Sequence, residues 1–363
     1  MILVVYGTTG ELIKLAPVLE RLRARGHPFV TATTGQQVRQ IPLFLESFGL
    51  PQPDVWLAEG ARGVDLGTNR DIPRWLLTAA TRFARRRRGL RATLASGPGR
   101  PLVLVHGDTM TTLLGALMGR ALGTPVAHIE SGLRSFDLLH PFPEELNRRL
   151  TSRLATILYA PGAWAASNLR RGVVVDTGSN TIRDALAMAG DDVAPGIVVP
   201  DEPFGLVSLH RFELLGDRRL LAATLELLAR HAERERLLFV DHSVTEAAVR
   251  RHGLGSMFGE RFQRIPRQTF FGFVALMRRC RFLFTDSGGS QEECFYLDLP
   301  CLVHRKRTER REGLGENVVL SGHDLGVAAS FLADPRSFRR TTVLTPASPS
   351  DVIVDDLEAR GFL

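Results

Sequence analysis

The chain of 363 residues lacks the features that mark several classes of protein. Its three cysteines, Cys280, Cys294 and Cys301, have the spacing of neither a disulfide framework nor a zinc site. No apolar run approaches the roughly 18 residues of a membrane span, and the start lacks the basic region of a signal peptide. The 44% of hydrophobic and 23% of charged residues exclude disordered and coiled-coil chains. We therefore expect a cytoplasmic protein of about two domains with no membrane partner.

Lysine is almost absent, although the formal net charge is +7. Only Lys14 and Lys306 occur, and the arginines look scattered apart from the dense run at Arg85–Arg88. This run follows a helical stretch and has no interleaved aromatic residues, so a solvated helix end is favoured over a polyanion site. The sequence therefore predicts no nucleic-acid partner.

Short apolar runs alternate with helical patterns along most of the chain. The predicted strands are Ile2–Tyr6, Phe29–Thr33, Leu102–His106 and Val126–Ile129, then Val173–Asp176, Gly205–Leu209, Leu237–Asp241, Phe282–Thr285 and Pro300–Val303. Alternation of this kind predicts an α/β fold with parallel sheets and right-handed crossovers. Two successive sets predict two Rossmann-like, doubly wound domains, which we expect to face each other across a cleft.

The domain boundary is expected in the stretch 159–172. We predict an N-terminal domain at 1–168 that holds the acid/base residues and a second domain at 169–347 that binds the ligand. Residues 348–363 return to a short helical pattern, and we expect this helix to pack back on the first domain.

Two glycine-containing turns are candidate anion sites. The first, at Gly7–Gly10, is neither a dinucleotide fingerprint nor a P-loop, and it fits a simple tight turn as well as an anion site. The second, at Asp286–Ser290, opens a helix whose free N–H groups could hold a phosphate. Glu292 and Glu293 follow, and they indicate either a bound polyol or an acidic first turn that complements the helix dipole. The ligand interpretation is favoured, because Gly-Gly is costly as a mere cap.

Several acids follow predicted strand ends, where catalytic groups of α/β folds lie. Asp108 and Glu130 each lie just past the end of a strand, and Glu144 and Arg148 have the spacing of an ion pair on one helix face. One such acid is usually a helix cap, but several at the same sheet edge indicate a site. His210 follows a strand of the second set, although a lone histidine is more often structural.

Together these segments resemble a known family, the non-hydrolysing UDP-N-acetylglucosamine 2-epimerases, which have the two-domain GT-B fold. The likeness extends over nearly the whole chain, in order and at near-family spacing. Its motifs are GTTGELIKLAPV at 7–18, VHGDTMTTLLGAL at 105–117, HIESGLRS at 128–135, PFPEELNRRLTSRLA at 141–155, TGSNTIRDAL at 177–186, HRFE at 210–213, TDSGGSQEE at 285–293 and TERREG at 308–313.

The resemblance implies a role for each matching residue. The acid/base groups would be Asp108, Glu130, Glu144 and His210. The nucleotide and phosphate contacts would be Lys14, Arg148, Ser287, Gly288, Gly289, Glu293 and Arg310, with Glu293 on the ribose. It also implies a homodimer that takes a UDP-sugar and needs neither a metal nor another cofactor.

The implied reaction eliminates UDP across C1–C2 of the sugar and adds it again with C2 inverted. Three departures from the family pattern bear on it: Thr9-Gly10 replaces Arg-Pro, Gln36-Gln37 replaces Gln-His, and His242–Thr245 departs from His-x-Asn-Pro. We expect weaker allosteric regulation and a weaker hold on UDP. A hydrolysing variant that releases UDP with the free sugar or 2-acetamidoglucal, a GT-B glycosyltransferase and a non-catalytic sugar-nucleotide sensor remain alternatives.

Overall fold

The computed structural model describes residues 1–61, 63–66, 71–137, 142–190 and 199–363. The chain forms two compact units. The first comprises Met1–Met188 and Thr345–Leu363, and the second comprises Ala189–Leu344. Each unit is built on one parallel sheet with helices in the connections. The α/β class predicted from the alternating pattern is confirmed.

The sheet of the first unit has seven strands in the order β3-β2-β1-β4-β5-β6-β7. These strands are β1 Ile2–Tyr6, β2 Phe29–Thr33, β3 Val55–Trp56, β4 Leu102–His106, β5 Val126–Ile129, β6 Ile157–Ala160 and β7 Val173–Asp176. The central strands β1 and β4 are buried on both faces and pair in parallel, with Val4 opposite Leu104. Their continuous apolar sequences are those expected of strands covered by helices on both sides.

Among the described residues, six helices connect these strands and a seventh follows β7. They are α1 Thr9–Ala24, α2 Gln40–Ser47, α3 Ile72–Ser96, α4 Met110–Leu122, α5 Glu144–Leu154, α6 Ala163–Ser167 and α7 Ile182–Met188. Local sequence explains where two of them begin, since Thr8 and Thr109 each form a capping box at the start of α1 and α4. Leu12, Leu15 and Leu19 of α1 are buried, so this helix packs its apolar face inward.

The second unit has six parallel strands in the order β10-β9-β8-β11-β12-β13. They are β8 Phe204–Ser208, β9 Arg236–Val240, β10 Phe262–Ile265, β11 Leu283–Thr285, β12 Cys301–Val303 and β13 Val318–Leu320. Its helices are α8 Phe212–Leu215, α9 Arg218–Ala232, α10 Ser243–His252, α11 Phe270–Arg279, α12 Gly288–Leu297 and α13 Leu325–Ala333. Apolar clusters lie on the two sides of this sheet, one including Val207 and Phe239 and the other Leu206 and Leu238.

The last helix, α14 Pro349–Ala359, returns to the first unit. It packs on α1 and α7 and buries Ile353, Val354 and Leu357. Arg21 Nε of α1 donates a hydrogen bond to Asp351 Oδ1 of α14 at 2.8 Å. The segment is therefore part of the first unit's core.

Three sequence expectations differ from the structure. Strand Val173–Asp176, expected in the second set, pairs with β6 and completes the first sheet. The first unit consequently extends to Met188, beyond the boundary at 168 that we expected, and α7 packs on α1. Arg85–Arg88 does not end a helix: α3 continues to Ser96, because Leu90 and Leu94 extend its buried face.

Each sheet reverses its strand order at one point, between β1 and β4 in the first unit and between β8 and β11 in the second. Chain segments that leave neighbouring strands at such a point run in opposite directions and open a crevice at the carboxyl ends. These two reversal points are where ligand-binding side chains are expected. No helix in the described part of the chain combines the length and the apolar content needed to cross a bilayer.

Candidate active site

The turn after β1 is packed tightly and satisfies its own backbone groups. A Cβ on Gly7 would lie 2.2 Å from Thr111 Oγ1 and 2.3 Å from Thr34 Oγ1, so only glycine fits there. The N–H groups of Gly7 and Thr8 both donate to Glu11 Oε2 at 2.9 Å, and Thr9 N–H donates to Gln37 at 2.8 Å. The carboxylate at this helix terminus thus belongs to the chain itself. Of the two interpretations left open for this turn, the tight turn is favoured over the anion site.

Glu11 also joins this turn to the one after β4. Its other oxygen, Oε1, accepts hydrogen bonds from Thr109 Oγ1 at 2.7 Å and Thr112 Oγ1 at 3.2 Å. The side chain is buried, and this burial raises the pKa of its carboxyl. Its hydrogen bonds hold the residue that follows Asp108 in place, and it was not among the predicted site residues.

Asp108 follows β4 at the reversal point of the first sheet and is held by α5. Its carboxylate forms an ion pair with the guanidinium of Arg148, with Oδ2 2.5 Å from Nη2, and its carbonyl accepts a hydrogen bond from Asn147 Nδ2 at 2.9 Å. The Asp108 side chain keeps 23% exposure, whereas Arg148 is almost completely buried. Arg148, predicted to contact the nucleotide, therefore also fixes the orientation of a predicted acid/base group.

Glu130 follows β5 and is the most constrained of the predicted acids. Its backbone is left-handed, with φ at 65°, which is unusual for a residue with a side chain. The buried carboxylate pairs with Lys14 Nζ and accepts a hydrogen bond from Asn180 Nδ2. His106 Nε2 lies 4.0 Å away. Lys14, predicted as a nucleotide contact, thus balances the charge of this carboxylate.

The charges of Asp108 and Glu130 both affect the pKa of one buried histidine. His128 lies on β5, and its Nε2–H donates to the carbonyl of Gly107 over 2.7 Å. Burial lowers the pKa of His128 to about 4, while the charges of Glu130 and Asp108 both act to raise it. The imidazole is therefore neutral near pH 7, and the structure brings Asp108 and Glu130 to one region of the sheet edge.

Glu144 is the first residue of α5 and is half-buried. The predicted partner at the i, i+4 position, Arg148, contacts Asp108 and also Glu145, whose Oε2 is 3.6 Å from Arg148 Nη1. Glu145 is completely buried and holds the start of the helix by accepting the N–H of Ser135 at 3.0 Å. Pro141, the first residue of the motif at 141–155, lies outside the described residues.

The reversal point of the second sheet holds His210. Asp286, which follows β11, accepts the N–H of His210 at 2.9 Å and that of Arg211 at 2.8 Å. The His210 Nδ1 lies 3.5 Å from Asp286 Oδ1. Burial raises the pKa of the Asp286 carboxyl to about 6. A fully buried carboxylate therefore fixes the turn that presents His210.

Positive charge surrounds His210. Burial, together with the charges of Arg211, Arg267 and Arg305, lowers its pKa to about 4. The ring of His242 lies 4.7 Å from the His210 ring, centroid to centroid. A neutral imidazole among arginines can give or accept a hydrogen bond, and a bound polyanion would raise its pKa.

The N-terminus of α12 lies beside the same cationic groups. Ser287 caps the helix by accepting the N–H of Ser290 at 3.3 Å. Within the described part of the chain, the N–H groups of Gly288 and Gly289 have no hydrogen-bond acceptor. A Cβ on Gly288 would lie 3.4 Å from Arg305 Nη1 and 3.8 Å from Arg310 Nε. The unused amides, the helix dipole and the two arginines are groups that could bind a phosphate. The Glu309 carboxylate lies among them, with Oε1 3.1 Å from the same Cβ position.

The two acids of α12 have different surroundings. Glu292 is fully buried and pairs with Arg310, which is itself only 6% exposed. Because α12 begins at Gly288, neither acid lies in its first turn, and the dipole interpretation does not apply. Glu292 holds the arginine beside the amide groups, while Glu293 is half-buried and stays a predicted ribose contact.

Comparison with known proteins decides the family. A family model for UDP-N-acetylglucosamine 2-epimerase matches residues 94–325. The chain is 30% identical over 341 residues to the UDP-N-acetylglucosamine 2-epimerase of Methanococcus maripaludis, covering 88% of this chain and 87% of that one. It is 32% identical over 342 residues to the enzyme of that name from Escherichia coli K12, covering 88% and 85%.

This chain belongs to the UDP-N-acetylglucosamine 2-epimerase family. A crystal structure of the Methanocaldococcus jannaschii UDP-GlcNAc 2-epimerase, in complex with UDP-GlcNAc and UDP, matches it with a TM-score of 0.78 at 26% identity, over 99% of both chains. The resemblance stated from the motifs and the GT-B fold class are thereby confirmed.

In this member of the 2-epimerase family, two of the residues that depart from the family pattern contact each other. Thr9, in place of the usual arginine, donates through both its N–H and its hydroxyl to Gln37 Oε1 at 2.8 Å, and Gln37 stands where the family has histidine. The neighbouring Gln36 donates to Thr111 Oγ1 at 2.6 Å. The two replacements therefore form one neutral hydrogen-bonded contact.

Four site residues were missed by sequence reasoning: Glu11, Asn180, Asp286 and Arg305. The first three lie inside quoted motifs, and Glu11 also completes the pattern Thr-x-x-Glu, which is a capping-box signal. Arg305 carries no local signal, because its relevance depends on β12 bringing it next to α12. Among the described residues, no group of three histidine, cysteine, aspartate or glutamate side chains could hold a metal ion.

Proposed function

We propose that the protein is a non-hydrolysing epimerase that interconverts UDP-N-acetylglucosamine and UDP-N-acetylmannosamine. The observation that carries the proposal is that the two sheet reversal points hold different chemical groups. The first has fixed carboxylates at Asp108 and Glu130, and the second has an unsatisfied helix N-terminus with arginines. Family membership and the UDP-GlcNAc and UDP bound to the M. jannaschii enzyme support the choice of substrate.

In the proposed first half-reaction, the bond between C1 and the UDP oxygen breaks, and its electron pair leaves with UDP. The C2 proton is not beside a carbonyl, so departure of UDP must lead and leave oxocarbenium character at C1. Diphosphate expulsion is stabilised by the amides of Gly288 and Gly289, by Arg310 and by His210. The Glu292 carboxylate supports this arrangement by holding Arg310 in place.

A carboxylate then accepts the C2 proton, the C1–C2 double bond forms, and 2-acetamidoglucal results. In the second half-reaction UDP adds again at C1 while a proton reaches C2 from the opposite face. Two proton-transfer groups are therefore needed, and Asp108, Glu130 and Glu144 are the proposed candidates. The ion pairs of Asp108 with Arg148 and of Glu130 with Lys14 fix the orientation of two of them.

One observation favours the hydrolysing variant as a second candidate. Thr9-Gly10 lacks the cationic side chain of the family's Arg-Pro, and Thr9 is instead bonded to the neutral Gln37. With one cationic contact fewer, UDP would dissociate more easily. The 2-acetamidoglucal would then escape, or water would add across its C1–C2 double bond to give free N-acetylmannosamine. A glycosyltransferase is disfavoured, because it has no use for several carboxylates at the edge of the first sheet.

Incubation with UDP-N-acetylglucosamine in heavy water, followed by NMR, tests the proposal. The expected product is a mixture of both UDP-sugars that carry deuterium at C2. Free sugar with stoichiometric UDP would support the hydrolysing variant instead. If no reaction occurs without an acceptor, the epimerase proposal is wrong. The Asp355→Asn variant, changed at an exposed carboxylate of α14, should retain the wild-type rate and serves as the control.

We further propose that the protein is a cytoplasmic homodimer. All three cysteines are unpaired and buried, which fits a reducing compartment. Sedimentation equilibrium would reveal the dimer, and a single species of 40.1 kDa would exclude it.

A further inference from the structure

The positive charge of the protein is concentrated in one helix. Helix α3 contains seven arginines and no acidic residue. Removing these seven from the chain's 46 basic residues leaves 39, which is the number of its acidic residues. Outside α3 the basic and acidic residues are therefore equal in number. The net charge of +7 equals the number of arginines in α3.

Most of these arginines occupy the outer side of the helix. The buried residues Trp75, Ala79, Leu90 and Leu94 fall on one side at helical spacing. With 3.6 residues per turn, four arginines lie on the opposite half, two lie at its borders and one lies on the buried side. The four are Arg74, Arg85, Arg88 and Arg91, the two are Arg82 and Arg87, and the last is Arg86, which is exposed because its whole turn meets solvent. We call these seven residues the arginine face.

Few arginines of the arginine face form an ion pair with the described residues. Among the described residues, Arg82 is the only one of the seven with an ion pair, to Glu59 at 2.9 Å. Every residue from 84 to 89 is exposed, so a full turn of the helix there meets solvent. Like charges at i, i+3 and i, i+4 repel each other, and this arrangement destabilises α3 unless an anion binds.

We propose that the arginine face docks on the surface of an anionic lipid bilayer. From Arg74 to Arg91 the helix rises about 26 Å at 1.5 Å per residue, so the four outer arginines span a length that suits contact with several phosphates of a planar layer. Clusters of four to eight arginines on one helix are typical of binding to acidic lipids. Leu77 lies on the same outer side and is 66% exposed, so it can enter the interfacial layer.

Nucleic acid fits the same surface less well. Proteins that hold single strands stack the bases on aromatic side chains, and those that read duplexes use amides as well as arginine. Helix α3 has no asparagine or glutamine, and its two aromatic residues, Trp75 and Phe83, lie on the side towards the core. Peripheral binding needs no spanning helix, and it replaces the sequence prediction of no membrane partner.

Vesicle co-sedimentation of the full-length protein tests this proposal. The probes are vesicles of phosphatidylcholine alone and vesicles that also contain phosphatidylglycerol. We expect binding to the anionic vesicles only, with a steep loss as salt is added. A variant that replaces four residues with glutamine, Arg85→Gln, Arg86→Gln, Arg87→Gln and Arg88→Gln, should bind about a thousandfold more weakly.

A control variant of equal net charge distinguishes the surface from general attraction. Its four substitutions are at exposed arginines of the second unit: Arg218→Gln, Arg219→Gln, Arg250→Gln and Arg251→Gln. This control should bind nearly as well as the wild type, and both variants should retain epimerase activity, since neither changes a proposed site residue. Equal losses in the two variants, no binding to anionic vesicles, or binding to duplex DNA without binding to vesicles would each overturn the proposal.

Discussion

At the scale of single residues, the pair of Lys14 and Glu130 combines structural and chemical demands. Both side chains are buried, at 11% and 5% exposure. Removing one partner of a buried ion pair typically costs about 3–5 kcal/mol, because the other charge stays unpaired. A loss of activity in a Glu130 variant alone would therefore not separate catalysis from folding.

A double substitution separates them. We expect Glu130→Gln to lower the rate of C2 deuteration about 10²- to 10⁴-fold, the usual contribution of a proton-transfer group. Adding Lys14→Met to Glu130→Gln should restore the urea midpoint, since no unpaired charge is left, but not the rate. The single variant Lys14→Met is the comparison. If the double variant regains the wild-type rate, Glu130 serves only to balance the lysine.

The sequence predicted the positions of these residues better than their contacts. Asp108 and Glu130 were placed correctly at strand ends, because strand and helix periodicity fix where each connection begins. The ion pair between Lys14 and Glu130 spans 116 positions, and no local pattern encodes it. Lys14 was therefore predicted to contact a nucleotide, a role that stays a prediction.

At the scale of elements, the N-terminus of α12 makes a prediction about nucleotide affinity. A methyl group on Gly288 would lie 3.1 Å from Glu309 Oε1 and 3.4 Å from Arg305 Nη1, and it would occupy space beside the free amides. We expect Gly288→Ala to weaken UDP binding roughly tenfold, equivalent to about 1.4 kcal/mol.

Isothermal titration with UDP measures this effect. Gly255→Ala is the matched control in the same unit, because a Cβ there meets no atom within 4 Å. The control should bind UDP like the wild type. Unchanged affinity in Gly288→Ala would show that the nucleotide does not approach this turn.

A second prediction at this scale concerns the attachment of α14. Asp184 of α7 is 7% exposed and accepts hydrogen bonds from Ser348 Oγ and from Ser350 N–H, both at 2.9 Å. Asp184→Ala would leave the buried N–H of Ser350 without this acceptor. We expect a destabilisation of about 1–3 kcal/mol, measured by urea unfolding.

The exposed residue Asp355 gives the comparison. Asp355 lies on α14 and pairs with Arg25, but its side chain is 63% exposed. Exposed ion pairs contribute about 0.2–1 kcal/mol to stability. Asp355→Ala should therefore change stability by less than Asp184→Ala. Equal effects would contradict the view that Asp184 anchors the helix.

The sequence predicted most helices and strands correctly. It was less successful in predicting which sheet a strand joins and where a helix ends. Apolar runs such as Ile2–Tyr6 predicted the buried strands, but Val173–Asp176 was placed in the wrong set. Its residues are mostly exposed, and which sheet an edge strand joins depends on contacts between distant segments. Helix α3 was predicted to end at Arg88, because the arginine run obscured the apolar positions that follow.

At the scale of the whole molecule, several buried histidines make stability depend on pH. Burial lowers the pKa of His128 in the first unit and of His304 in the second to about 4. His304 is fully buried, with Nδ1 2.8 Å from Ser321 Oγ. His210 and His242 have pKa values lowered to about 4 by burial as well.

The sign follows from the unfolded chain, where histidine has a pKa near 6.5. Between about pH 6.5 and pH 4 the unfolded state binds more protons, so stability falls as the pH falls, by up to about 1.4 kcal/mol per pH unit for each histidine. Asp286 opposes this trend below about pH 6, because its raised pKa makes the folded state bind a proton first. Three histidines of the second unit outnumber this one acid, so we expect a net loss on acidification.

Urea unfolding at a series of pH values between about 7 and 5 tests the expectation. The His304→Gln variant can keep hydrogen bonds to Ser321 and Thr224 but cannot take up a proton. On acidification, its stability should therefore fall less steeply than that of the wild type. The two slopes should differ by up to about 1.4 kcal/mol for each pH unit below 6.5. An identical slope in the variant and the wild type would mean that His304 takes up its proton at the same pH in the folded and unfolded states, and that the burial of its ring does not lower its pKa.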